Sequence, residues 1–417
     1  MSDKPRAPLL PLDQARISLL AHAVPQLDSE SIPVGEADGR VLAQDVVSAL
    51  HVPPQDNSAM DGYALRCADV AAVGIDLPVS QRIAAGSSGA PLAAGSMARI
   101  FTGAPVPLGA DAVLMQEDCT VLPATGTANE LPQVKINSLP TRGQNIRRAG
   151  EDVARGDVVL SHGQRLGPAE MGLAASIGMA TVSVARRPRV ALFSTGDELV
   201  MPGTVAPQDM LAGAIYNSNR FFLSALLRRM GCTVTDLGIV PDQRDATMEA
   251  LRHAAQAHDV ILTSGGVSVG EEDHIKPAVQ GLGSLDLWQI AMKPGKPFAY
   301  GRVANAHFLG LPGNPVSSFV TFLVLVRPFL LQLQGMRDVA LKTIEARADF
   351  SWTKPDKRRE FLRVRRNVQG GLELFPNQSS GVLTSAVWGD GLVDNPPGRS
   401  IAPGDTVRFV SFAELLA

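Results

Sequence analysis

The sequence predicts an α/β protein of several domains, and three observations carry that reading. Residues 189–334 alternate apolar strand-like runs with amphipathic helical runs over short loops, the pattern of a doubly wound, mostly parallel sheet. Residues 46–141 and 337–417 instead hold short segments of alternating polarity cut by turn residues, the pattern of small β-rich units. At 417 residues, 45% of them hydrophobic, the chain has room for about two to four such units.

From the N-terminus, residues 12–24 set Ile17, Leu19, Leu20 and Val24 at helical spacing and close near Pro25. SIPVGEADGRVLAQDVVS (31–48) reads as a turn, a short helix and a strand. DNSAMDGYALR (56–66) gathers Asp56, Asn57, Ser58 and Asp61 around a Gly-Tyr turn, which as chemistry is no more than an Asx-rich turn. The frequent turns over 77–140 predict an inserted β-rich domain spanning 46–141, with Thr102 presenting a hydroxyl from the turn Thr102-Gly103-Ala104-Pro105. GQNIRRAGED (143–152) brings the chain back with Arg147 and Arg148 beside Glu151 and Asp152, residue types that also make plain surface ion pairs. A helix with a Gly stop at Gly178 and a strand follow, and Arg186-Arg187-Pro188 marks a boundary. The N-terminal mixed domain is therefore discontinuous, 1–45 plus 142–185.

The α/β domain is expected over 186–336. RVALFSTG (189–196), CTVTDLGIV (232–240), DVILTSGG (259–266), LDLWQIAM (285–292) and HFLGLPG (307–313) read as strands. NSNRFFLSALLRRMG (217–231), with an Asn/Ser start, RDATMEALRHAAQAH (244–258), a short run from His274 and a long run from Pro315 read as helices. The C-terminal domain, 337–417, is expected to be a small β-barrel or sandwich. In its basic run, 354–366, alternation puts most cations on a solvated face and leaves one or two for an anion. Residues 378–392 read as a Ser/Gly loop flanking a short helix.

Composition narrows the function. A net charge of −3 and 5% aromatic residues give neither the basic field nor the stacking surface of a nucleic-acid binder. The longest apolar run, 319–326, is too short to span a bilayer and is predicted to stop at Arg327-Pro328, so it reads as a buried helix and not as a membrane anchor. Cys67, Cys119 and Cys232 are odd in number and form no CxxC. With an N-terminal stretch that lacks an apolar signal core, they predict a cytoplasmic protein.

Doubly wound sheets bind ligands at the carboxyl ends of their strands. Three polar clusters fall there: Ser194, Thr195, Gly196 and Glu198; Ser264, Gly265 and Gly266 running on to Asp273; and Lys293 with Lys296. TSGGVSVGEED (263–273) is the centre of these. Its strand enters a Gly-rich turn that admits close backbone approach to a phosphate, and Glu271, Glu272 and Asp273 suit a hard cation such as Mg²⁺. The plain alternative is a tight βα connection with a solvated acidic helix start. Lys293 and Lys296, separated by Pro-Gly, fit a two-charge clamp for an oxyanion, against the alternative of two exposed lysines. Ser317, at a helix start after Pro312-Gly313-Asn314-Pro315, adds a hydroxyl.

DNSAMDGYA (56–64), FTGAPVP (101–107), GQNIRRAGED (143–152), FSTGDEL (193–199), TSGGVSVGEED (263–273), MKPGKP (292–297) and LPGNPVS (311–317) stand in the order of the MoeA family, which the chain resembles over nearly its whole length. That family holds the molybdopterin molybdenumtransferases and the E domains of gephyrin and the plant Cnx proteins. The resemblance implies an elongated homodimer of four-part subunits and a central domain of the molybdopterin-binding type. It implies a Mg²⁺-dependent insertion of molybdate, as substrate, into adenylylated molybdopterin, releasing AMP and molybdenum cofactor. It also implies a molybdopterin adenylyltransferase as upstream partner. Glu198, Asp242 and Asp273 would hold Mg²⁺. Asp61, Thr102, Arg147 and Asp152 would complete the site across the dimer. Lys293, Lys296, Ser317, Ser385 and one of Arg359 or Arg363 would hold molybdate, with Pro312 and Pro315 among the substrate contacts. One position departs from many relatives: Gln289 stands where they carry a lysine four residues before the KPGK pair.

Two other readings remain at this point. An adenylyltransferase acting on bare molybdopterin would need only the central domain, and ATP consumption would reveal it. A non-catalytic molybdopterin-binding scaffold would have no need of Asp61, Glu198, Asp273 and the lysine pair.

Overall fold

The structure is a computed structural model that describes residues 9–25, 28–122, 132–267 and 274–416. Its centre is a six-stranded sheet in the order Thr233–Val240, Arg189–Thr195, Val260–Ser264, Ala306–Leu311, Pro297–Val303, Gly283–Gln289. The first four strands run parallel. The last two pair antiparallel, so the sheet is mixed at one edge. Strand Pro297–Val303 is absent from the sequence reading. Its leading proline and internal Gly301 weaken the strand signal, and its partners across the ladder supply what propensity does not.

Alternation along each parallel strand sorts the core into two layers. Val190, Leu192, Val260, Leu262, Leu309 and Leu311 pack with Leu223 and Leu227 of helix Asn219–Arg229 and with the long helix Pro315–Leu333. Ala191, Phe193, Ile261 and Phe308 face the other way, against Leu251 of helix Arg244–Ala257 and Ile275 and Val279 of helix Ile275–Leu282. Helices on both faces make the sheet doubly wound.

The helix Pro315–Leu333 corrects an expected stop. It passes through Arg327-Pro328, with a π-helical stretch at Phe322–Val326 just before the proline. A wider turn there relieves the clash between a proline ring and the carbonyl one turn back. This helix is long and apolar enough to cross a membrane by composition, but it is mostly buried inside the protein. Helix Leu12–Ala21 also differs from its place in the chain: Leu12, Ala15 and Leu19 pack into the central core.

Ahead of the central sheet, Ser29–Pro33 pairs with Thr181–Ala185, Val46–Val47 with Val158–Leu160, and Asn57–Ser58 with Ile146–Arg147. Between these crossing points lies a second six-stranded sheet, Ala112–Met115, Gly62–Leu65, Met97–Ile100, Asp76–Ile83, Gln133–Ile136, Cys119–Val121. After the central sheet, Arg359–Arg366, Gly391–Asn395, Thr406–Ser411 and Ile344–Arg347 form a small sheet, with Leu372–Leu374 paired to the first. A bridge from Ala348, just past Ile344–Arg347, to Leu372 links the last strand back to Leu372–Leu374 and closes the sheet on itself, the barrel form of the expected C-terminal unit. The sheet takes Met292–Lys293 from the central segment as a parallel edge strand, with Lys293 beside Glu360. That pairing ties the KPGK turn to the C-terminal unit.

Candidate functional site

The strand order fixes where a ligand sits. From Arg189–Thr195 the chain moves to one edge, then returns to the opposite neighbour, Val260–Ser264, and the carboxyl ends of these two strands part at that point. A cleft of about 480 Å³ opens there. Eleven of the expected residues line it: Ser194, Thr195, Gly196, Glu198, Asp242, Ser264, Gly265, Gly266, Pro312, Pro315 and Ser317. The turn after the first strand shapes its acidic side. Gly196 has φ +143°, and a Cβ added to it would stand 2.5 Å from Glu198 Oε2, so only glycine lets the Glu198 carboxylate fold back here.

The cleft walls hold polar atoms that lack partners. Ser194 Oγ, Asn217 Nδ2 and Asn219 Oδ1 are buried without a hydrogen bond. Ser264 differs: Asn219 Nδ2 donates to its Oγ at 2.8 Å, and also to the Gly313 carbonyl at 2.7 Å, while the Ser264 hydroxyl points to the Pro312 carbonyl at 3.4 Å. One asparagine thus ties the TSGG turn to the LPGN turn and sets the cleft's width. The sequence reading took Asn217-Ser218-Asn219 as a helix start. Ser218 makes no side-chain capping bond, but Asn217 Oδ1 accepts the Arg220 N–H at 3.3 Å in the first turn of helix Asn219–Arg229, and both asparagines line the cleft as well. A polar triplet whose spacing also fits a cap conceals this role in the sequence.

One half of the expected lysine pair is engaged by carboxylates. Lys293 Nζ lies 3.3 Å from Glu360 Oε1 and 3.6 Å from Asp356 Oδ2, and over the Trp352 ring at 5.9 Å. Glu360 is fully buried and accepts Trp352 Nε1–H at 2.7 Å as well, so Lys293 serves as counter-ion to a desolvated carboxylate. Lys296 sits between Gly295 and Pro297. A Cβ on Gly295 would meet Thr321 Oγ1 at 2.3 Å, which seats the turn on the same helix that carries Ser317, and Pro297 lines the cleft. Gln289 closes strand Gly283–Gln289 opposite Pro297, with its carbonyl accepting the Leu10 N–H.

The two candidate arginines of the C-terminal sheet separate cleanly. Arg359 grips Asp394 with Nε and Nη2 at 2.5 and 2.6 Å and reaches Asp13 at 2.9 Å. Arg363 is 1% exposed and has no carboxylate among the described residues; it donates to Ser385 Oγ at 3.1 Å and to the Ser379 and Phe361 carbonyls. Burial alone pulls its pKa down to about 10. Alternation leaves open which one or two cations of the run escape the solvated face; residues Glu360 to Val364 are all buried, and the loop through Gln378 and Ser379 covers the Arg363 side. The same loop touches the cleft: Val316 N–H donates to the Ser380 carbonyl at 2.9 Å, next to Ser317.

Asp61, Thr102, Arg147 and Asp152 do not line the cleft. Asp61 Oδ1 accepts the Thr102 N–H and hydroxyl, both at 2.7 Å, and these bonds hold its carboxyl below the usual range, the backbone one most. Arg147 pairs in the short ladder with Asn57, and Asp152 is exposed. Asp273, together with Glu271 and Glu272, lies outside the described residues. Among the described residues no group of three or more His, Cys, Asp or Glu gathers to hold a metal ion. Glu198 and Asp242 are the carboxylates of the cleft, and their hard oxygen donors fit Mg²⁺.

Known proteins match this chain over nearly its whole length. Residues 10–178 match the model of the MoeA N-terminal region (domains I and II), 191–332 that of a probable molybdopterin binding domain, and 345–412 that of the MoeA C-terminal region (domain IV). The molybdopterin molybdenumtransferase of Haemophilus influenzae is 39% identical over 98% of this chain and 100% of its own length. Molybdopterin molybdenumtransferase 2 of Mycobacterium tuberculosis is 38% identical over 88% of this chain and 90% of its own. The crystal structure of the molybdopterin biosynthesis moeA protein of Pyrococcus horikoshii superposes with a TM-score of 0.83 at 27% identity, covering 97% of this chain and 100% of that one.

Proposed function

The chain belongs to the MoeA family, and from that premise we propose that its cleft binds adenylylated molybdopterin and inserts molybdate, with Mg²⁺, releasing AMP. The protein is a transferase of molybdenum cofactor biosynthesis, a molybdopterin molybdenumtransferase like its relatives. The observation that carries the reading is the meeting of eleven separated polar, glycine and proline positions in one crevice at the switch point of the sheet.

Each part of the cleft has a task under this reading. The Gly265-Gly266 turn admits phosphate oxygens close to the backbone. Glu198 and Asp242 hold Mg²⁺, which supplies charge neutralisation at the phosphoanhydride. Ser317 lies beside the Ser380 contact, with Ser385 and the uncompensated Arg363 cation behind it, and Lys296 at the neighbouring turn. That grouping gives an oxyanion such as molybdate hydroxyl and cationic donors. Arg359 and Lys293, neutralised by carboxylates, serve the fold instead.

A second copy of the chain completes the site. Asp61, Thr102, Arg147 and Asp152 stand away from their own cleft, and a homodimer would bring them to the partner's. Mixing Asp61→Ala with Glu198→Ala subunits then restores part of the activity, and heterodimers as inactive as either parent would refute the shared site. The three cysteines are free, which fits a reducing cytoplasm, where a molybdopterin adenylyltransferase would supply the substrate.

The decisive assay incubates the protein with adenylylated molybdopterin, Mg²⁺ and molybdate. AMP release that depends on molybdate is expected. AMP release indifferent to molybdate would reduce the activity to hydrolysis, and ATP consumption with bare molybdopterin would favour adenylyl transfer.

A further inference from the structure

Building on the cleft as the seat of a nucleotide-linked pterin, we infer that Asn217 and Asn219 read the hydrogen-bonding edge of one of the substrate's rings. The two residues are 2% and 8% exposed, and their neighbours fix which way each amide faces. Asn219 must direct Nδ2 at the Gly313 carbonyl, which only accepts, so its Oδ1 is the atom left over. Asn217 Oδ1 accepts the Arg220 N–H at 3.3 Å, which leaves its Nδ2. The cleft therefore offers one free donor and one free acceptor from residues two apart, with Ser194 Oγ also free.

Buried polar atoms in folded proteins are nearly always paired, and leaving one unpaired is unfavourable. Two in the same cleft, of opposite sense, point to a ligand that carries an acceptor beside a donor. Leu199, Ile215 and Tyr216 line the same cleft and suit the faces of a flat ring. Adenine presents such an edge through N1 and its 6-amino group, and a pterin presents one through O4 and N3–H. The shared chemistry is a heteroaromatic edge with adjacent acceptor and donor. Asn217 and Asn219 are thus specificity residues, and Asn219 is a positioning residue as well, through its tie between the two turns.

The test is calorimetric titration of the full chain with AMP and, separately, with 6-hydroxymethylpterin. Asn217→Asp keeps the acceptor for the Arg220 N–H and replaces only the free donor. It is expected to weaken one probe by about tenfold or more while leaving the melting temperature close to that of the parent. Asn217→Ser, uncharged and smaller, gives the same loss and covers the case in which a buried carboxylate harms folding. Weakening confined to AMP assigns the adenine edge, and weakening confined to the pterin assigns the pterin edge. Parental affinity of both variants for both probes overturns the inference. A parent protein that binds neither probe overturns the reading of the cleft itself, and this inference with it.

Discussion

Arg359 and Arg363 lie on one strand, four residues apart, and the structure treats them in opposite ways. Arg359 meets Asp394 and Asp13 and is electrically complete. Arg363 is more deeply buried, yet it meets a hydroxyl and two carbonyls and no carboxylate among the described residues. Desolvating a guanidinium without a counter-ion costs free energy that folding must offset elsewhere. Under the proposed function, the uncompensated cation is the one left for an arriving anion, and the neutralised one holds the fold. The same contrast separates Lys293, paired to Glu360, from the free polar atoms of Ser194, Asn217 and Asn219.

The sharpest way to break this comparison is to remove each charge. Arg363→Met is expected to lower molybdate-dependent AMP release on the order of hundredfold, with thermal stability unchanged or higher because an uncompensated cation is gone. Loss of stability with undiminished turnover per folded molecule would make the two arginines alike. Asp394→Asn acts on the other arginine. It removes a buried charge that holds both Arg359 and Arg408, and is expected to lower the unfolding free energy by about 3 kcal/mol, read by urea denaturation, with turnover of the folded fraction retained.

Smaller still is the effect of Thr102→Val on Asp61. The Asp61 pKa is held down by the Thr102 backbone N–H first and the hydroxyl second, and the variant removes only the hydroxyl. The folded pKa then rises toward its ordinary value, so the carboxylate takes up its proton at a higher pH than in the parent. The acid limb of the pH–rate profile is expected to move upward slightly. An unmoved limb would mean that ionised Asp61 has no part in turnover.

Much of the site was legible before any coordinates. The strand-to-turn junctions at FSTG, TSGG and LPGN could be placed from apolar runs that end in glycine, and the doubly wound pattern says such ends meet. The long basic run at 354–366 was legible only as a stretch of cations. Alternation cannot tell Arg359 from Arg363, because a loop more than ten residues away, held by Gln378, covers a face that periodicity leaves open. The ion pair of Lys293 is hidden from the sequence for a similar reason. Its Pro-Gly neighbour fits a ligand turn, but its charge partner, Glu360, lies 67 residues further on.

What the amino-acid order determined by itself was local: which runs become strands, where glycine permits a close turn, and which motifs mark the family. These follow from short-range sterics and from side-chain periodicity. Tertiary structure alone decided which charges are neutralised and which polar atoms are left without partners. Whether a buried group is satisfied depends on residues brought to it from distant parts of the chain, and on the low dielectric that packing creates around them.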